Sequence, residues 1–171
     1  MKKILWILVA VLCFGGCASV TAPVMETVAD EVVQPVAADP KPMAVWLPED
    51  AAAQTAIADA QGERCYTWDD CELRLQTLDG GDIRATLRKL TGLDPEKLTV
   101  MEYERDGLQF YQTVWSMTGE EGVMLGRCMV ADDGSYHYCI SLTSPENVDV
   151  GEDYAQICAS LDLSGKPDTG K

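Results

Sequence analysis

Three short connections constrain this chain more than any other feature of its sequence. Arg105-Asp106-Gly107, Thr118-Gly119-Glu120-Glu121 and Asp132-Asp133-Gly134 separate four strand-like runs: Leu98 to Glu104, Leu108 to Met117, Gly122 to Ala131 and Ser135 to Leu142. Connections this short have no room for a crossover, so consecutive runs must pair as antiparallel hairpins. Upstream, Leu73 to Leu78 alternates as a further strand, and Asp79-Gly80-Gly81-Asp82 reads as a turn whose last Asp caps a helix. That helix, Ile83 to Thr91, puts Ile83, Leu87 and Leu90 on one face and stops at Gly92. A second helix, Gly151 to Leu161, gathers Tyr154, Ile157, Cys158 and Leu161 on one face. The order β-α-β-β-β-β-α predicts an α+β domain, an antiparallel β-meander sheet with packed helices.

The N-terminus carries an export signal. Met1-Lys2-Lys3 is basic, Ile4 to Phe14 is apolar, and Gly15-Gly16 precedes Cys17. The apolar run is well short of the ~20 residues a permanent membrane helix needs, so residues 1–16 read as a removable signal peptide. Phe14-Gly15-Gly16-Cys17 resembles the lipobox of bacterial lipoproteins, in which small residues precede a Cys that receives diacylglycerol. That resemblance implies a mature protein beginning at a lipid-modified Cys17 and held to a membrane by its acyl chains. Ala18 and Ser19, with no Asp after the Cys, imply the outer membrane, facing the periplasm.

From residue 17 to residue 47, Pro23, Pro35, Pro40 and Pro42 are scattered among Val, Ala and acidic residues with no helical or alternating period. Proline removes backbone donors and fixes φ, so this stretch is expected to be a disordered tether. Residues 48–61, with Pro48 and two acids ahead of an Ala-rich run and Gly62, are expected to form a helix. Residues 62–165, about 100 in all, suit one small domain, followed by a disordered tail at 166–171. The chain has a formal net charge of −15, and loss of Lys2 and Lys3 makes the mature form more acidic still. Such a surface excludes nucleic acid and anionic headgroups as partners and favours cationic ones.

Of the 7 cysteines, removal of Cys13 with the signal and of Cys17 to lipid leaves Cys65, Cys71, Cys128, Cys139 and Cys158. In an oxidising compartment these predict disulfides. A two-residue turn at Asp133-Gly134 sets Cys128 directly opposite Cys139, and Cys65 with Cys71 can close a small loop. Cys158, on the apolar face of the last helix, is then a buried free thiol. The one histidine, His137, lies in mid-strand and reads as a surface or half-buried residue rather than a catalytic base. Asp69-Asp70-Cys71-Glu72 lacks Ca²⁺-loop spacing and reads as a solvated turn, and neither a metal nor a soluble cofactor is expected. Pairing across Asp106-Gly107 sets Tyr103 opposite Phe110 and gathers Tyr111, Thr113, Trp115 and Met117 on the other face. Core packing is the plainer use of these rings. A face left open would be a groove for a peptide, glycan or apolar ligand, with Tyr66, Trp68, Tyr111 and Trp115 as binding candidates.

The order of elements, with Tyr136-His137-Tyr138-Cys139-Ile140 leading into Ser144-Pro145 and then an amphipathic C-terminal helix, resembles the PsbP-like and DcrB-like small envelope domains. The resemblance covers Cys71 to Leu163 and implies a non-catalytic accessory or binding role. The chain is therefore expected to be a monomeric, non-enzymatic envelope lipoprotein that binds a protein or cell-wall partner. The alternative is a carrier or sensor for a small apolar ligand, held between the sheet and the C-terminal helix. Detergent partitioning tests the anchor. Mature wild-type protein should enter the detergent phase and Cys17→Ala should not, whereas a mature mutant that still partitions into detergent contradicts the lipobox.

Overall fold

The computed structural model describes residues 39–54, 62–119 and 122–165. Their strands form one sheet: β1 (Ala52–Ala53), β2 (Arg64–Trp68), β3 (Cys71–Asp79), β4 (Val100–Arg105), β5 (Leu108–Gly119), β6 (Gly122–Asp132) and β7 (Tyr136–Pro145). Two helices, α1 (Ile83–Thr91) and α2 (Gly151–Ala159), pack on it. Every pairing is antiparallel, and the strand order is β1-β2-β3-β7-β6-β5-β4. The fold is α+β, with the expected meander running from β4 to β7.

Local chemistry explains the elements. Asp106 and Gly107 both take positive φ, 54° and 77°, which closes a two-residue turn and sets Tyr103 opposite Phe110. Their rings stack at 5.1 Å, with the Arg105 guanidinium 4.7 Å above Phe110. The Asp82 side chain accepts the Arg84 N–H at 2.9 Å, and Gly92, at φ 71°, donates back to the Arg88 carbonyl at the other end of α1.

β7 is the central strand and is buried on both sides. Tyr138, Ile140 and Leu142 face α2 in a core with Leu73, Leu75, Phe110, Met129 and Ile157. His137, Cys139 and Ser141 alternate with them on the α1 face, where Leu87, Trp115, Cys128 and Val130 are also buried. His137 is thus fully buried, not a surface residue, because α1 lies over it. Its Nδ1 meets the Thr86 hydroxyl at 2.8 Å.

Asp69 and Asp70 form the expected exposed turn, which joins β2 to β3, at φ 44° and 61°, a conformation aspartate tolerates better than most residues. Other expectations are corrected. The tether predicted over 17–47 does not hold for its described part, 39–47. Ala44 and Asp162 exchange two backbone bonds of 2.9 Å, the Trp46 N–H donates to Ser160 Oγ at 2.7 Å, and Met43 is buried in the α2-side core. Nor does the helix predicted over 48–61 hold for 48–54. Ala52 and Ala53 pair with Thr67 and Tyr66, and sheet pairing overrides their helical propensity. Residues 1–38, 55–61 and 166–171, on which the expected signal peptide, the lipid-bearing Cys17 and the expected tail fall, lie outside the described residues.

The cysteine pairing is corrected too. The turn after β6 is longer than two residues, so Asp132 pairs with His137, Cys128 lies opposite Ser141, and Cys139 lies opposite Val130. Cys128 and Cys139 are diagonal neighbours on one face, a separation of ~7 to 8 Å that exceeds disulfide reach. Cys65 lies opposite Arg74 while Cys71 lies opposite Trp68, which puts the two thiols on opposite faces of the sheet. Cys65, Cys71, Cys128, Cys139 and Cys158 are all buried free thiols.

Asp133 joins the β6–β7 turn to the N-terminal segment. Its carboxylate accepts the Ser135 and Tyr136 N–H groups at 3.1 and 2.9 Å and the Tyr138 hydroxyl at 3.2 Å, and it pairs with Lys41 Nζ at 2.9 Å. Burial alone would raise its pKa, but the Lys41 and backbone hydrogen bonds outweigh that and hold it at about 2. A carboxylate depressed in the folded state stabilises it above the ordinary aspartate range, and that contribution disappears as pH falls through the folded value. Asp133→Asn should therefore cost about 1 to 2 kcal/mol at pH 7 after allowance for the partly exposed lysine. Urea unfolding across pH should show the gap from wild type closing between about pH 4 and 2. A gap that stays constant to pH 2 would contradict this role.

Candidate functional site

Trp115 organises the candidate site. Its register partner on β6 is Gly126, and the indole lies against that glycine, so that a Cβ there would come within 2.1 Å of the ring carbons. Glycine is required by this close approach, not by its φ. The indole is 8 % exposed, and its Nε1–H has no hydrogen-bond partner among the described residues. Leaving a buried donor unsatisfied costs about 1 to 3 kcal/mol.

Beside the indole an open groove of about 560 Å³ runs across the α1 face. Its floor is Glu72 and Arg74 of β3, Ser141 and Thr143 of β7, and Trp115 and Met117 of β5. The C-terminal end of α1, from Lys89 to Gly92, forms one wall. Arg74 Nε is 2.6 Å from Glu72 and its Nη1 is 3.4 Å from Glu63, and the Glu72 hydrogen bond raises the guanidinium's already high pKa. The charges on the floor thus largely satisfy one another. Met117 is 40 % exposed and supplies the apolar contact. On the opposite face of the same strand, Met101, Gln112, Val114 and Tyr154 line a smaller, mainly apolar cleft of about 230 Å³.

Burial pushes the thiols of Cys128 and Cys139 up to about 12 and those of Cys71 and Cys158 to about 11, so none supplies thiolate near neutral pH. His137 bonds Thr86, its Nε2 stands 3.6 Å from Asp132, and Ser141 is four residues further along the strand, ~13 Å away. Ser141 and His137 therefore form no nucleophile–base pair.

The four aromatics predicted for binding are divided by the sheet. Tyr111 and Trp115 face α1, whereas Tyr66 and Trp68 face α2, where Trp68 is a core residue at 6 % exposure with Tyr66 packed beside it. Of the four, only Trp115 lines the groove. Alternation along β5 had already placed Met117 with Trp115. Arg74, Lys89 and Gly126 were not foreseen, because they meet Trp115 only through the β3–β7–β6–β5 register and the docking of α1.

No family model matches the sequence, and no curated protein does. Solved structures that share the fold include the following two. One is the solution structure of cyanobacterial PsbP (CyanoP) from Synechocystis, with a TM-score of 0.55 at 11 % identity, covering 71 % of this chain and 86 % of that one. The other is a crystal structure from Bacteroides thetaiotaomicron, with a TM-score of 0.51 at 13 % identity over 75 % of this chain and 47 % of that one. This chain therefore spans about half the length of the Bacteroides protein. At these identities the likeness is one of fold, an antiparallel sheet clad by helices.

Gly126→Ala should lift the indole off the sheet, narrow the groove and cost about 1 to 3 kcal/mol through overpacking. The denaturation midpoint and the Trp115 Nε1–H NMR resonance should both shift. An unchanged resonance would mean that the ring does not rest on Gly126.

Proposed function

We propose that this chain is a lipid-anchored envelope protein whose domain binds a protein or cell-wall partner without catalysing a reaction, using the groove beside Trp115. The observation that carries this reading is the groove itself: a buried indole with an unsatisfied donor, an exposed Met117, and an ion-paired floor without an activated nucleophile. The PsbP-like resemblance supports an accessory role. The export signal and Cys17 support attachment on the outer side of a membrane, and the net charge of −15 favours a cationic partner surface over nucleic acid. The carrier reading has less support, because the groove and the smaller cleft open to solvent, whereas a carrier site buries most of its ligand.

A photo-crosslinking residue at Met117 in intact envelopes should yield an adduct of defined mass. A control at the exposed Gln156 on α2 should not. The Met117 adduct should diminish with Cys17→Ala. Equal adducts at both positions, or none at Met117, would contradict a partner in the groove.

A further inference from the structure

β5 is longer than the strand that covers it. Its residues Gln109 to Gly119 pair with β6, but β4 pairs only with Leu108 to Thr113. β4 begins at Val100, opposite Thr113, and the Thr99 carbonyl accepts the Thr113 hydroxyl at 2.9 Å where the chain turns away. From Val114 to Gly119 the outer side of β5 has no ladder partner among the described residues, although its backbone groups keep their capacity to pair.

The unpaired segment lacks the usual protection of a sheet edge. It reads Val-Trp-Ser-Met-Thr-Gly, with no proline and no charge, and Val114 is 68 % exposed. Two other edges are blunted, because β4 carries Glu102, Glu104 and Arg105 and β1 is two residues long. The outer side of β3 that β2 leaves uncovered, Gln76 to Asp79, is shorter than the β5 edge and ends on a carboxylate. The open segment also lies between the two clefts, with Trp115 and Met117 on the groove side and Val114 beside Met101 on the other. A strand added here would send alternate side chains into each cleft.

We infer that the Val114–Gly119 edge of β5 accepts an extended, lysine- or arginine-bearing segment of a partner protein as an eighth strand. The inference rests on the binding role proposed above and names the partner's chemistry and mode of attachment. Charge selects the occupant. A second copy would bring together two chains of net charge −15, whereas a cationic segment would be attracted to them. In sequence the edge is followed directly by Glu120 and Glu121. Main-chain pairing supplies affinity, and the apolar side chains reaching Met117 and Val114 supply selectivity.

The test uses the full-length chain in detergent micelles with two labelled peptides, KVKVTVK and EVEVTVE, read by fluorescence anisotropy and amide hydrogen exchange. The basic peptide should bind and slow exchange of the outward-facing amides between Val114 and Gly119, and the acidic peptide should bind at least tenfold more weakly. Val114→Lys, which changes an exposed side chain on the edge, should weaken the basic peptide at least tenfold, with Thr118→Lys as a second variant if the first does not fold. Equal binding of the two peptides, no binding of the basic peptide, or binding that leaves these amides unprotected would overturn the inference. Edge amides already protected in peptide-free protein would also overturn it. Dependence on protein concentration would then assign the edge to a second copy, and loss of protection on deletion of residues 18–38 would assign it to the chain's own N-terminal part. A partner crosslinked at Met117 whose binding leaves these amides in exchange would keep the binding role and remove the added strand.

Discussion

The rest of the structure depends on burying both faces of β7. Its residues from His137 to Leu142 are all buried, and a strand with two buried faces needs a layer on each side. α1 supplies one layer and α2 the other, and α2 is extended by the N-terminal segment around Met43. Asp133, bonded to Lys41 and to the backbone of its own turn, ties that segment to the end of the central hairpin. The register of the sheet and the docking of residues 39–47 thus share one carboxylate.

The candidate site follows from the incompleteness of this covering. α1 has 9 residues and is only ~14 Å long, less than half the length of the 10-residue β7 at ~33 Å. One short helix cannot cover a sheet of this extent, and the α1 face beyond Gly92 is left as the groove. Trp115 fills part of the gap by lying on Gly126, and Arg74 fills another part between two carboxylates. The bare edge has a separate cause: β4, with 6 residues, is too short to pair along all 12 of β5.

Much of this fold was legible in the sequence where local chemistry decides it. The Asp106-Gly107 turn, the Asp82 and Gly92 caps and the alternation along β5 each act within a few residues, and the structure agrees with them. The failures arose where tertiary contacts decide. Asp69-Asp70 makes a turn without the glycine that normally marks one, which hid the β2–β3 hairpin. Pro40 and Pro42 suggested a free tether, yet the neighbouring Met43 and Ala44 dock on the α2 side and pair with Asp162. His137, Cys139 and Ser141 look like a half-polar outer face until α1 is placed over them. Of the site itself, Trp115 and Met117 could be read from alternation. Gly126, Arg74 and Lys89 could not, since each depends on strand order.

The five buried thiols report on both faces of the sheet at once, so they test the central claim of a doubly covered sheet in this register. Full-length protein should be treated with a thiol-alkylating reagent along a denaturant series without reductant, and each cysteine followed by mass spectrometry. The structure predicts that Cys65, Cys71, Cys128, Cys139 and Cys158 are all unlabelled in the native protein. Cys128 and Cys139 should become labelled together, only in the global unfolding transition. Recovery of Cys128 and Cys139 as a disulfide, or labelling of Cys139 in the native protein, would contradict the register and the covering of β7 by α1.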